Sequence, residues 1–227
     1  MRSPSVVAIV PCAGYGRRLG LDQKKPFVKL SGRPIAIHAL ATLNSCKTID
    51  SIIVACERSC VEDFGRLVKK FRLDKVDAVV VGGRTRFESV RNCLKKVKPS
   101  FDVVLVHDGA RPLVDRDIVS EVVKAAARFG ASLAAVPETD TVKISDGVCS
   151  VAGTLPRERI FRAQTPQAFR REVIITAYSL PGGYLATDDS GLVERSGLSV
   201  RIVKGSYKNI KITTREDLLM AEALLRR

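Results

Sequence analysis

Short apolar runs rich in valine and isoleucine recur along the 227-residue chain, at 6–10, 51–56, 77–81, 102–106, 132–136 and 199–203. Runs this short, bounded by glycine or polar residues, predict buried strands. Between them, near 34–44, 60–72, 86–97, 116–129 and 215–225, apolar residues fall three and four apart, the spacing of an amphipathic helix. Strands alternating with helices predict one α/β domain over 1–227, Rossmann-like, with a mostly parallel sheet covered on both faces. Thr213-Thr214-Arg215-Glu216 reads as a capping box, with Thr213 closing the start of the last helix.

One stretch breaks the rhythm. From 137 to 162, Thr, Val, Ile and Lys alternate around Asp146-Gly147, a strong hairpin signal. A hairpin inserted this late in an α/β chain projects from the body or lies flat on the sheet. We read 137–162 as a projecting β-arm for dimerisation.

Composition narrows the class. With 45% hydrophobic and 27% charged residues the chain is globular, and at this length it buries a full core. The formal charge of +14 is concentrated in two segments. Residues 1–33 hold seven basic residues against one acidic, and 66–98 hold eleven against three. An anionic partner follows, either a polyanion or a small phosphorylated substrate. Aromatics at 5% and the absence of Trp supply few stacking surfaces for single-stranded nucleic acid. Six scattered cysteines and only two histidines, His38 and His107, complete no zinc set. The apolar run at 6–10 is too short for a secretory core, and no run approaches bilayer length, so a reducing cytoplasm is the expected compartment. A plastid stroma is the equivalent for an organellar protein lacking its transit peptide.

Three segments carry candidate chemistry. The first strand runs into Pro11-Cys12-Ala13-Gly14-Tyr15-Gly16-Arg17-Arg18-Leu19-Gly20, followed by Lys24-Lys25-Pro26. Small residues at 12–14 and 16 let backbone N–H groups approach a ligand, at the strand edge where open α/β sheets bind one. Leu19 stands where a dinucleotide fingerprint needs its third glycine, and no Walker lysine follows. A glycine loop carrying Arg17, Arg18, Lys24 and Lys25 suits a triphosphate. The strand ending at Val106 continues into His107-Asp108-Gly109-Ala110-Arg111-Pro112. Asp108 is placed to hold a divalent cation, and Arg111 to clamp a phosphate; Asp108 capping its own turn, paired with Arg111, is the plain alternative. Gly82-Gly83-Arg84-Thr85-Arg86-Phe87-Glu88-Ser89-Val90 again exposes backbone at the same edge, where Ser89 either meets a base or caps the helix.

These segments, with Asp140–Lys143, Thr165-Pro166-Gln167, Thr187-Asp188-Asp189 and 209–213, resemble the 2-C-methyl-D-erythritol 4-phosphate cytidylyltransferases of the non-mevalonate isoprenoid pathway. Counting Lys25 apart from the glycine loop, eight motifs stand in the family's order from residue 6 to about 220. The resemblance implies Mg²⁺-dependent transfer of CMP from CTP to methylerythritol phosphate, by in-line attack on the α-phosphorus with release of pyrophosphate. It implies Arg18, Lys25, Arg157 and Lys211 as catalytic residues and Asp108 as the metal carboxylate. Cys12, Ala13, Gly14, Gly16, Gly83, Ser89 and Gly109 would hold the nucleotide. Arg111, Thr141, Thr165 and Thr187 would line the acceptor side. In the family the arm swaps onto a second subunit, so Thr141 and Arg157 would serve the partner's site in a homodimer.

Three residues depart from the family pattern. Cys12 replaces a usual Ala, Arg84 a small or acidic residue, and Lys24 a proline, so Lys24 stands beside Lys25 as a candidate cation. A cytidylyltransferase for another polyol phosphate, such as ribitol 5-phosphate, shares the CTP half of the pattern. A basic nucleic-acid-binding module is the remote alternative, motivated by the +14 alone.

Overall fold

Alternate residues of the first strand, β1 (Val6–Pro11), face opposite sides of a sheet: Val6, Ala8 and Val10 join one apolar cluster, Val7 and Ile9 another. A strand buried on both faces has no polar side to show, which is why these runs are continuously apolar. The computed structural model describes residues 3–14, 24–182 and 186–226. After β1 come β2 (Lys29–Leu30), β3 (Arg33–Pro34), α1 (Ile35–Ser45), β4 (Ser51–Cys56), α2 (Val61–Lys70), β5 (Val76–Val81), α3 (Arg86–Leu94) and β6 (Val103–Val106). The second half holds α4 (Arg116–Phe129), β7 (Ala131–Pro137), β8 (Lys143–Ser145), β9 (Val151–Thr154), β10 (Phe161–Arg170), α5 (Arg171–Ser179), α6 (Asp189–Arg195), β11 (Arg201–Lys204) and α7 (Arg215–Leu225).

Among the described residues the central sheet has seven strands in the order β11-β7-β10-β6-β1-β4-β5. All neighbours are parallel except β10, which runs against both β6 and β7. Helices α1, α2 and α4 pack on one face, and α3, α5 and α6 on the other. Helix α7 closes a third small cluster, setting Ala221 with Val28, Leu30, Ile35 and Ile212.

All six expected strands and five expected helices form, with ends shifted by a few residues. The sequence reading omitted the two-residue strands β2 and β3, and also β10, α5 and α6. Strand β10 reads FRAQTPQAFR, polar and interrupted by Pro166; the ladder to β7 shifts register between Ala163 and Gln167, the one place a proline is tolerated inside a sheet. The cap of α7 also differs: Thr214, not Thr213, is the N-cap, and its hydroxyl accepts from the Asp217 N–H. The Asp217 carboxylate accepts in turn from Thr214 N, Thr213 N and the Thr213 hydroxyl, so aspartate rather than Glu216 completes the box.

The arm forms from β8 and β9, which pair only with each other, and no residue from 137 to 163 is buried. Its turn is wider than Asp146-Gly147 alone: Asp146 Oδ1 accepts from the N–H groups of Val148 and Ser150, and Gly147 takes φ +87. Ile144, Val148 and Val151 are left exposed on it.

Phe64, fully buried between α2 and the sheet, anchors one face. Phe64→Ala should cost about 3–5 kcal/mol in urea unfolding. Val148→Ala, 81% exposed at the arm's tip, should change stability by less than about 0.5 kcal/mol. Equal effects of the two would contradict the placement of the core.

Candidate active site

The loops that leave β1, β5 and β6 meet at one edge of the sheet because their small residues let the backbones touch. Cys12 N–H donates to Ala55 O at 2.6 Å, and Gly82 N–H to Cys56 O at 2.7 Å, extending the ladder past the strand ends. A Cβ on Gly82 would stand 2.6 Å from the Ala13 Cβ, and one on Gly109 would stand 2.3 Å from Cys12 Sγ. No side chain fits at either position. Between these loops lies a cleft of about 440 Å³, large enough for a nucleotide.

The start of α3 is tightly capped. The Thr85 hydroxyl accepts from Glu88 N–H, and the Glu88 carboxylate accepts from Arg84 N–H at 2.6 Å. Ser89 is buried; its hydroxyl accepts from Gly83 N–H at 3.1 Å and donates to Thr85 O at 2.8 Å. Ser89 thereby shapes the glycine loop while lining the cleft.

Asp108 follows β6 and is 6% exposed, and each of its oxygens meets a cation. Oδ1 lies 2.9 Å from Arg86 Nε, and Oδ2 lies 2.7 Å from Lys211 Nζ. Burial alone would push this carboxyl's pKa up; Arg86 and then Lys211 outweigh it and hold the group well below the usual carboxylate range. Arg86 also grips both oxygens of fully buried Asp189, at 3.0 and 2.7 Å, and the Tyr178 hydroxyl donates to the same carboxylate. Burial would lower the Arg86 pKa, but Asp189 first and Asp108 second raise it.

Behind Asp108 runs a directed chain of hydrogen bonds. Asp108 N–H donates to Thr165 Oγ1 at 3.0 Å. Thr165 Oγ1 lies 3.1 Å from His107 Nδ1, and His107 Nε2 lies 3.1 Å from Arg111 O. A carbonyl only accepts, so Nε2 carries the ring proton and Nδ1 accepts from the threonine hydroxyl. Burial pushes the His107 pKa down to about 4, which keeps the ring neutral. Arg111 Nη1 donates to Asn209 O at 2.7 Å, and Asn209 Nδ2 to Thr165 O at 2.8 Å, which fixes the loop carrying Lys211.

Cys12, Ala13, Gly14, Lys25, Gly83, Ser89, Asp108, Gly109 and Lys211 all line the one cleft. Lys24 instead turns aside to Glu57, 2.9 Å away, so the chain itself separates the two neighbouring lysines. Arg111 is held below the cleft by Asn209 rather than paired with Asp108, and Thr165 is spent inside the hydrogen-bond chain. Thr187 is exposed ahead of α6. Thr141 and Arg157 sit on the arm, where Arg157 Nη1 donates to Thr139 O; neither lines the cleft of its own chain. Gly16 and Arg18 lie outside the described residues. Burial drives the Cys12 thiol's pKa far up, so it is a neutral packing group and no nucleophile.

Arg86 and Asp189 are the residues that sequence reasoning missed. Both stand inside quoted motifs, but a pairing across 103 positions leaves no local pattern. Among the described residues no group of three or more His, Cys, Asp or Glu is gathered around a metal position. Among the described residues one carboxylate, Asp108, lines the cleft, which suits a cation held mainly by a ligand's phosphates and water.

The family model for 2-C-methyl-D-erythritol 4-phosphate cytidylyltransferase matches residues 6–227. The enzyme of that name from Syntrophus aciditrophicus is 46% identical over 99% of this chain and 97% of its own. The one from Pelotomaculum thermopropionicum is 43% identical over 97% and 94%. Among solved structures, 4-diphosphocytidyl-2C-methyl-D-erythritol synthase from Anaerococcus prevotii superposes with a TM-score of 0.86 at 33% identity, over 99% of this chain and 97% of that one. The Thermus thermophilus cytidylyltransferase gives 0.79 at 31%, with both chains fully covered.

Gly109→Ala should lower kcat/KM at least about tenfold, because its methyl meets Cys12 Sγ. Cys12→Ala in the same chain should restore most of the loss, and a double variant as poor as Gly109→Ala would contradict the packing. His107 makes a separate prediction. Its folded pKa lies below the unfolded value of 6.5, so its contribution is fully present above pH 6.5 and is lost as pH falls through about 4. Unfolding free energies at pH 7 and pH 4 should differ by on the order of 3 kcal/mol less in His107→Gln than in the parent. An unchanged difference would show that His107 is not buried neutral.

Proposed function

The chain belongs to the 2-C-methyl-D-erythritol 4-phosphate cytidylyltransferase family, and from that premise we propose how its cleft carries out the reaction. The protein is a cytidylyltransferase that transfers CMP from CTP to 2-C-methyl-D-erythritol 4-phosphate, giving 4-diphosphocytidyl-2-C-methyl-D-erythritol and pyrophosphate. The observation that carries the reading is the convergence of two glycine-shaped loops with Lys25, Asp108 and Lys211 on one cleft. Family membership over the whole chain favours methylerythritol phosphate over ribitol 5-phosphate as acceptor.

The 4-phosphate oxygen attacks the α-phosphorus in line and pyrophosphate leaves, with no covalent enzyme intermediate. Catalysis is then positioning and charge stabilisation. Main-chain groups at Cys12, Ala13, Gly14, Gly16, Gly83 and Gly109 hold the nucleotide. Lys25 and Arg18 stabilise charge on the pentavalent phosphate. Lys211 and Arg157 face the incoming 4-phosphate, Arg157 and Thr141 reaching it from the arm of a second copy in a homodimer. Thr187 belongs to that acceptor side, and Thr165 and Arg111 hold its backbone in place. Asp108 would hold Mg²⁺, which when bound neutralises phosphate charge and orients the leaving pyrophosphate. On this reading the partners are CTP, methylerythritol phosphate and a second copy of the chain, with no nucleic acid or membrane, and the compartment is the cytoplasm. Among the described residues no helix is long and apolar enough to cross a membrane.

Pyrophosphate release with methylerythritol phosphate should require CTP over ATP, GTP and UTP, and should stop without Mg²⁺; equal turnover with ribitol 5-phosphate would overturn the acceptor assignment. Lys25→Ala should cut turnover by roughly 10²–10³, the cost of losing one preorganised charge stabiliser. Lys24→Ala should stay within about tenfold of the parent. Inactive Lys25→Ala and Arg157→Ala proteins, mixed and allowed to exchange subunits, should regain activity if the arm crosses over. No recovery after demonstrated exchange would place each site within one chain.

A further inference from the structure

Among the described residues Asp108 is the only carboxylate lining the cleft, and its two oxygens are held by cations of different kinds. On Oδ1 sits Arg86, whose guanidinium is itself clamped by Asp189 and could not leave without stranding a fully buried carboxylate. On Oδ2 sits Lys211, 40% exposed, at the end of a flexible stem, and among the described residues no second carboxylate pairs with it. A lysine is a hydrated point charge that changes partner readily, whereas a forked arginine bond is rigid. One oxygen is therefore firmly committed and the other is held exchangeably, by a lysine that lines the cleft.

We propose that Lys211 is a resident counter-ion: it occupies Asp108 Oδ2 in the substrate-free protein and yields it when a divalent cation arrives with the nucleotide, while Arg86 keeps Oδ1. The inference rests on the reading of Asp108 as the metal carboxylate. The exchange balances charge, since the ammonium released from Oδ2 is free to meet a substrate phosphate as the cation takes its place. It also gives an order to loading. A free cation must displace Lys211 with nothing to receive the ammonium, so it binds weakly; a cation carried by a nucleotide brings phosphates that both complete its coordination and accept the lysine.

The test is Mn²⁺ binding, read from the electron paramagnetic resonance signal of free Mn²⁺, and it needs no turnover. Nucleotide-free Lys211→Met and Lys211→Gln proteins should each bind Mn²⁺ at least about tenfold more tightly than the parent, and adding Asp108→Asn should abolish the gain. A gain that survives Asp108→Asn would overturn the proposal, because it would come from another site. Mn²⁺ affinity unchanged in both lysine variants would overturn it too, and if Asp108→Asn still weakened Mn²⁺ binding to the CTP complex, the metal role of Asp108 would stand without the exchange. If Asp108→Asn bound Mn²⁺ and CTP as the parent does, the metal role itself would fall, and the proposal with it.

Discussion

The buried negative charge of Asp108 organises this molecule. The Asp108 carboxylate is almost wholly out of water, and an isolated ion there would cost several kcal/mol or take up a proton. It stays ionised because Arg86 from the start of α3 and Lys211 from the loop before α7 converge on it. Arg86 in turn needs Asp189 at the start of α6, which needs the Tyr178 hydroxyl from α5. Four segments far apart in the chain are thus fixed around one strand end by charge compensation. The apolar faces of the sheet decide that these helices pack, and the ion pairs decide which of their ends meet.

A second tier of neutral hydrogen bonds holds the backbone of that strand end. Thr165, neutral His107, Arg111 and Asn209 form a chain with determined donors and acceptors, so the Asp108 main chain and the Lys211 loop are set relative to each other before any ligand binds. Two close glycine approaches hold the nucleotide side open in the same way. For a displacement at phosphorus with no covalent intermediate, such preorganisation is most of what a protein can supply. The buried, high-pKa Cys12 thiol adds packing to this frame and no chemistry.

The legible part of the sequence was whatever a local pattern encodes. The strands of the parallel sheet announce themselves because burial on both faces makes them unbroken apolar runs, as at 51–56. The hairpin turn at Asp146-Gly147 and the glycines at 82, 83 and 109 are likewise visible, because only particular residues fit those backbones. Strand β10 was hidden by the opposite circumstance: it sits centrally yet carries Gln164, Pro166 and Gln167, whose polar groups are satisfied by Ser206 and Asp188 from distant loops. The Arg86–Asp189 bridge was hidden because nothing local distinguishes a clamped arginine from a solvated one. The basic excess of 66–98 divides along the same line. Arg86 is structural at the site, whereas Lys69 and Lys70 occupy the last turn of α2, where cations complement the helix dipole.

If Asp108 is the hub of both assembly and chemistry, removing its charge while keeping its shape is the most direct trial. Single-turnover formation of the cytidylyl product by Asp108→Asn, at saturating CTP and acceptor, separates chemistry from binding and release. A fall of roughly 10²–10³ in a variant that keeps its fold is expected, the scale of one lost electrostatic contact at the reacting phosphate. A rate within about threefold of the parent would contradict the account.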